Sequence, residues 1–139
     1  MAYSVMVGKR TMYCLRGNLH MHTTLSDGAL TRADLEQVAN EVGLDFVIIT
    51  DHNFFSPGQD GWADECLVLI GEEVHDVERE PQSSHTLCFG ITRDMYDLSS
   101  DPQELIDAVA KDGGFSFLAH PFERDAPEFL PEPNISWRD

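Results

Sequence analysis

Apolar positions along the chain alternate between two periodicities. Phe46-Val47-Ile48-Ile49 is an unbroken, largely β-branched run, so residues 44–50 read as a strand buried on both faces. Residues 66–70 repeat that signature and 86–91 are a weaker version of it, while 13–19 and 115–119 complete the predicted strands. Helical spacing takes over in between. Leu35, Val38, Ala39 and Val42 fall on one stripe after Thr31, which caps a helix with Asp34 three residues on, and Gly43 ends it. Asp101-Pro102 with Glu104 supplies an N-cap, a proline at the first helical position and a capping carboxylate for a second helix. Leu105, Ala108 and Val109 form its stripe, and Gly113-Gly114 stops it. Strands alternating with helices predict an α/β fold on a largely parallel sheet, whose ligands gather at the C-terminal ends of the strands.

Side chains with metal-binding chemistry recur at those ends. His20-Met21-His22 leaves the first predicted strand, and a period of two points both imidazoles to one side. Asp27 follows in a Ser26-Asp27-Gly28 turn, where it serves either as turn cap or as ligand. Asp51-His52 closes the 44–50 strand, and Ala119-His120-Pro121 closes the last. Asp51 points away from His52 on an extended backbone and is expected to accept a hydrogen bond that orients an imidazole. Glu72 and Glu73 face opposite sides of a strand, and spacing does not choose between them. His85 lies at the start of a strand rather than its end, while His75 shares a face with Glu73 but sits in a polar run that reads as a solvated or substrate-facing loop. A mix of imidazole and carboxylate suits divalent metals such as Zn, Mn or Fe.

Composition narrows the partners. With 139 residues the chain fits one domain, 1–139, and 25 Asp and Glu against 9 Lys and Arg give a net charge of -16. That charge repels phosphate backbones and anionic membranes, so neither nucleic acid nor a membrane is an expected partner. Arg124 and Arg79 carry the guanidinium forks that suit an anionic substrate, and Arg124 lies just past His120. Cys14, Cys66 and Cys88 form no Cys-x-x-Cys pair and read as buried thiols. Without a secretion signal or an apolar span, a cytoplasmic location is expected. No nucleophile elbow or Gly-rich phosphate loop is present.

Together these motifs resemble the PHP (polymerase and histidinol phosphatase) superfamily of metal-dependent hydrolases. Gly17-Asn18-Leu19-His20-Met21-His22-Thr23 with Ser26-Asp27-Gly28 is similar to its first motif, and Ile49-Thr50-Asp51-His52-Asn53 to its second. Gly71-Glu72-Glu73 resembles the family's Gly-x-Glu, which selects Glu73; His85 matches the histidine after it, and Ala119-His120-Pro121 the third motif. The wording of the first motif is closest to the CehA/McbA-like branch. The resemblance implies a distorted (β/α)7 barrel, here partial, with up to three divalent metals: His20, His22 and Glu73 at the first, Glu73, His85 and His120 at the second, Asp27 and His52 at the third.

The resemblance also exposes a departure, because the family's closing Asp-x-His has no counterpart after His120. A truncated barrel is the expectation, with open edges that favour a homodimer or another partner and with low activity for the chain alone. The primary reading is a phosphoesterase using a metal-activated bridging hydroxide, with an ester or carbamate hydrolase as its variant and His120 as a candidate aid to the leaving group. The rival is a non-catalytic, metal-stabilised remnant or partner-binding module.

Overall fold

The computed structural model describes residues 3–79 and 85–120. Two strands precede the first predicted one: β1 (Tyr3–Val7) and β2 (Arg10–Cys14) form an antiparallel hairpin. The expected strand over 13–19 is therefore divided, with Tyr13 and Cys14 closing the hairpin and β3 running Gly17–Met21. Arg16 marks the division. Its N–H donates to Asp45 Oδ2 and its carbonyl accepts from Asp45 N, both at 2.8 Å, which ties the start of β3 to the start of the next strand.

α1 (Arg32–Glu41) begins with the predicted box, in which Thr31 Oγ1 accepts from Asp34 N and the Asp34 carboxylate accepts from Thr31 N. It buries Leu35 and Ala39 in a core with Val47, Ile49, Val68 and Ile70. Those four belong to β4 (Phe46–Ile49) and β6 (Cys66–Ile70), which lie in one sheet with β3 and the short β5 (Gly61–Ala63), in the order β3-β4-β6-β5. Here β3, β4 and β6 are parallel, as expected, and β5 is an antiparallel edge.

The second half departs from the parallel expectation. After Gly71 the chain continues as β7 (Glu72–Val74) into a separate sheet, β7-β8-β9, with β8 (Thr86–Phe89) and β9 (Phe115–Leu118), and both pairings are antiparallel. α2 (Pro102–Lys111), held by the predicted Asp101 cap, lies between β8 and β9 in sequence without making them parallel. Phe89 pairs with Phe115, so the excursion through α2 leaves and re-enters the sheet at the same end, as a hairpin connection does.

The two sheets meet along the exit of β4. Gly71 N donates to Ile49 O at 2.8 Å, Glu73 N to Asp51 O at 3.2 Å and Asn53 N to Glu73 O at 3.0 Å, so His52 and Glu73 form a parallel bridge. Gly71 is the crossing point: a Cβ there would lie 2.7 Å from the Cys88 carbonyl oxygen. Reversal of β8 has one consequence for chemistry. Val74 pairs with Thr86 and Thr86 with Leu118, so His85, at the start of β8, sits at the same edge as the ends of β7 and β9. No helix among the described residues is long and apolar enough to cross a membrane.

Candidate metal centre

Glu73 is fully buried, and its two oxygens face different histidines. At the end of β3, His20 Nε2 and His22 Nε2 lie 2.8 and 3.0 Å from Oε2, and 2.8 Å from one another. His52, carried by the exit of β4, brings Nδ1 to 3.5 Å of the same oxygen. Oε1 faces the antiparallel sheet instead, with His85 Nδ1 at 3.2 Å and His120 Nε2 at 3.1 Å. Asp27, on the loop after β3, reaches between two rings, its Oδ1 3.4 Å from His22 Nδ1 and its Oδ2 3.6 Å from His52 Nε2. Five imidazoles thus close a circuit around one carboxylate. Successive ring centroids are 4.9 Å apart for His20–His22, 4.5 Å for His22–His52, 5.4 Å for His52–His85, 5.3 Å for His85–His120 and 5.7 Å for His120–His20.

Asp51 holds the loop that carries part of this circuit. Its buried carboxylate accepts from Thr23 N at 2.7 Å, Thr23 Oγ1 at 2.8 Å and Ser26 Oγ at 2.7 Å. The expected contact with an imidazole is replaced by these three, because the backbone turns back on itself directly after His22. Ser26 Oγ stands 3.5 Å from His22 Nδ1, so Asp51 reaches the ring at one remove. Gly28 completes the turn: a Cβ there would collide with the His22 carbonyl.

Burial alone would push the Glu73 carboxyl up, yet hydrogen bonds from His22 and His85 and the neighbouring His20 outweigh it and hold it far below the usual carboxylate range. His22 is raised, chiefly by its hydrogen bond to Glu73, whereas His52 is lowered, chiefly by burial. A lowered His52 favours the neutral ring, the form whose lone pair binds a metal.

The donor set fits a divalent cation. Ligand atoms of His20, His22 and Glu73 all lie within 4.8 Å of one another, as do those of His22, Asp27 and His52 and those of His52, Glu73 and His85. One ion with bonds of about 2 Å spans such a group. His52 Nδ1 is buried and lacks a hydrogen-bond partner among the described residues, which leaves its lone pair available. His20, His22, Asp27, His52, Glu73, His85 and His120 are therefore brought to one place. Glu72 is not: it faces the opposite side of β7, where Oε2 accepts from Met95 N at 2.9 Å. Arg124 lies outside the described residues. His75, read from sequence as a loop residue, packs against His52 and His85; its two-residue spacing from Glu73 was the available signal.

No family model matches the chain. It is 30% identical over 66 residues, 48% of its length, to DNA polymerase/3'-5' exonuclease PolX of Bacillus subtilis (strain 168), of which it spans 12%. Among solved structures it is similar to a two-domain protein of Bacteroides vulgatus containing a predicted PHP-like metal-dependent phosphoesterase. That likeness has a TM-score of 0.62 at 23% identity and covers 86% of this chain and 39% of the other. The shared fold and the PolX match agree with the PHP-like order of the histidine motifs along the chain.

Proposed function

We propose that this centre binds up to three divalent ions, Zn, Mn or Fe, and belongs to a metal-dependent phosphoesterase. The observation that carries the reading is the division of labour on Glu73, whose Oε2 faces His20 and His22 while Oε1 faces His85 and His120. His20, His22 and Glu73 would hold one cation and Glu73, His85 and His120 a second, while Asp27 and His52 would hold a third. When bound, such ions act as Lewis acids toward a phosphoryl oxygen and lower the pKa of water. The chain's own contribution is the rigid placement of ligands. Glu73 stays ionised under its imidazole partners, His120 closes the Oε1 side, and Asp51 keeps the loop of Asp27 in register. His120 is the most exposed of the five rings facing Glu73, with 34% of its side chain accessible, and so borders the approach of a substrate.

The substrate class we favour is a small phosphate mono- or diester, with esters and carbamates as the alternative acyl-type substrates. Phosphodiester cleavage is also what the exonuclease name of the Bacillus relative describes. The two linked sheets are, in this reading, part of a distorted (β/α)7 barrel. A hairpin with exposed Tyr3, Val5, Val7 and Tyr13 favours a homodimer, whose mass light scattering would report.

The bridge between His52 and Glu73, which joins the two sheets at the ligand cluster, favours a second reading, a metal-stabilised module without turnover. The two separate in one experiment. Purified protein is loaded with Zn or Mn and assayed for hydrolysis of an aryl phosphate beside His20→Ala. Weak, metal-dependent turnover that disappears in His20→Ala supports the hydrolase; bound metal with no turnover above that of the free ion supports the module.

A further inference from the structure

His75 lies outside the five-ring circuit, and its ligand atoms join none of the three groups that would hold an ion. Its place is nevertheless defined from two sides. The backbone N–H donates to Asn53 Oδ1 at 2.9 Å, and Asn53, in the left-handed region at φ 50°, donates its own N–H to Glu73 O at 3.0 Å. The ring is stacked on His85, with centroids 4.4 Å apart and planes at 29°, and meets His52 edge-on at 4.9 Å and 70°. It therefore spans one link of the circuit, the one joining His52 on the Oε2 side of Glu73 to His85 on the Oε1 side. An imidazole otherwise turns readily about its last torsion, and the direction of its lone pair turns with it.

We propose that His75 is a positioning residue whose ring fixes the planes of His52 and His85, and so the alignment of both sides of the metal centre. The proposal rests on the metal-binding reading above. What it assigns to His75 is the aromatic face against His85 and the contact with His52, so phenylalanine, which keeps an aromatic ring, should replace it and alanine should not.

Co(II) is the probe, titrated into metal-free native protein, His75→Ala and His75→Phe and followed by its visible ligand-field bands. His75→Ala should bind Co(II) about tenfold more weakly with altered bands, while His75→Phe keeps native affinity and spectrum. Native behaviour in His75→Ala, or equal weakening in both variants, overturns the proposal. Should the native protein take up no Co(II), the metal reading itself fails, and crystal structures of the three metal-free proteins decide the positioning role. His52 and His85 should keep one orientation in the native protein and His75→Phe and rotate or split in His75→Ala. Unmoved rings in His75→Ala overturn the proposal there too.

Discussion

Glu72 and Glu73 are neighbours on β7, both fully buried, and their surroundings drive them in opposite directions. On the Glu72 side the carboxyl meets Met95 N–H, the buried Cys88 and the negative charge of Asp94; Oε1 has no hydrogen-bond partner among the described residues. Burial there pushes the group up to about 7 and helps raise the Cys88 thiol to about 12. One residue along, on the opposite face of β7, the same burial acts on Glu73 and loses to the imidazoles. Desolvation is thus common to both faces, and the partners decide the sign. One face builds a core with a protonatable acid in it, and the other builds an anion ready for cations.

The largest expected effect comes from breaking the charged face. Glu73→Gln should lose bound metal, and in a metal concentration about a thousandfold above Kd it should lose about 4 kcal/mol of stability with it. Calorimetry with and without metal measures this, and Glu72→Gln should keep its metal. A reversal between the two variants would place the bridging carboxylate on the wrong side of β7.

Next in size is the pH dependence from the apolar face. Glu72 is raised from 4.5 to about 7, so between those values the unfolded chain has released a proton that the folded chain retains. Stability therefore falls as pH rises across that window, by about 3 kcal/mol from this group, and levels off above it. Urea unfolding of the metal-free protein at pH 5 and pH 8 should show the decline, and Glu72→Gln should abolish its share. An unchanged slope in Glu72→Gln would remove Glu72 as its source.

Two smaller changes sharpen the comparison by disturbing what separates and supports the faces. Gly71→Ala forces a Cβ toward the Cys88 carbonyl at the junction of the sheets and should cost about 2 kcal/mol in metal-free unfolding. Ser26→Ala removes one of the three hydrogen bonds on Asp51 and should cost about 1 kcal/mol, again read by urea unfolding. A larger loss in Ser26→Ala than in Gly71→Ala would mean that the loop after β3, rather than the sheet junction, carries the site.

Both helices were legible because their signals are local: Thr31 with Asp34, and Asp101 with Pro102 and Glu104, sit beside the backbone they cap. β4 and β6 were legible as unbroken apolar runs. The β1–β2 hairpin was not, since its residues are almost all exposed and carry no buried face to mark it. Direction of pairing was also hidden. A helix between β8 and β9 suggested a parallel sheet, and only the register shows that His85 starts its strand at the edge where β7 and β9 end. His20, His22, Asp27, His52 and His120 could be nominated from motif spacing because each leaves a strand or a turn, whereas Glu73 was told from Glu72 only by the resemblance to Gly-x-Glu. The packing of His75 could not, because it depends on Asn53 and His85 arriving from other elements.

If metal binds as proposed, the two oxygens of Glu73 would serve cations held by separate histidine pairs. Anomalous diffraction from crystals of the native protein soaked in Mn or Zn tests it most directly. One metal peak is expected about 2 Å from Oε2 among His20 and His22 and a second about 2 Å from Oε1 between His85 and His120. No peak at Glu73, or a single ion that leaves one oxygen bonded only to imidazole, would contradict it.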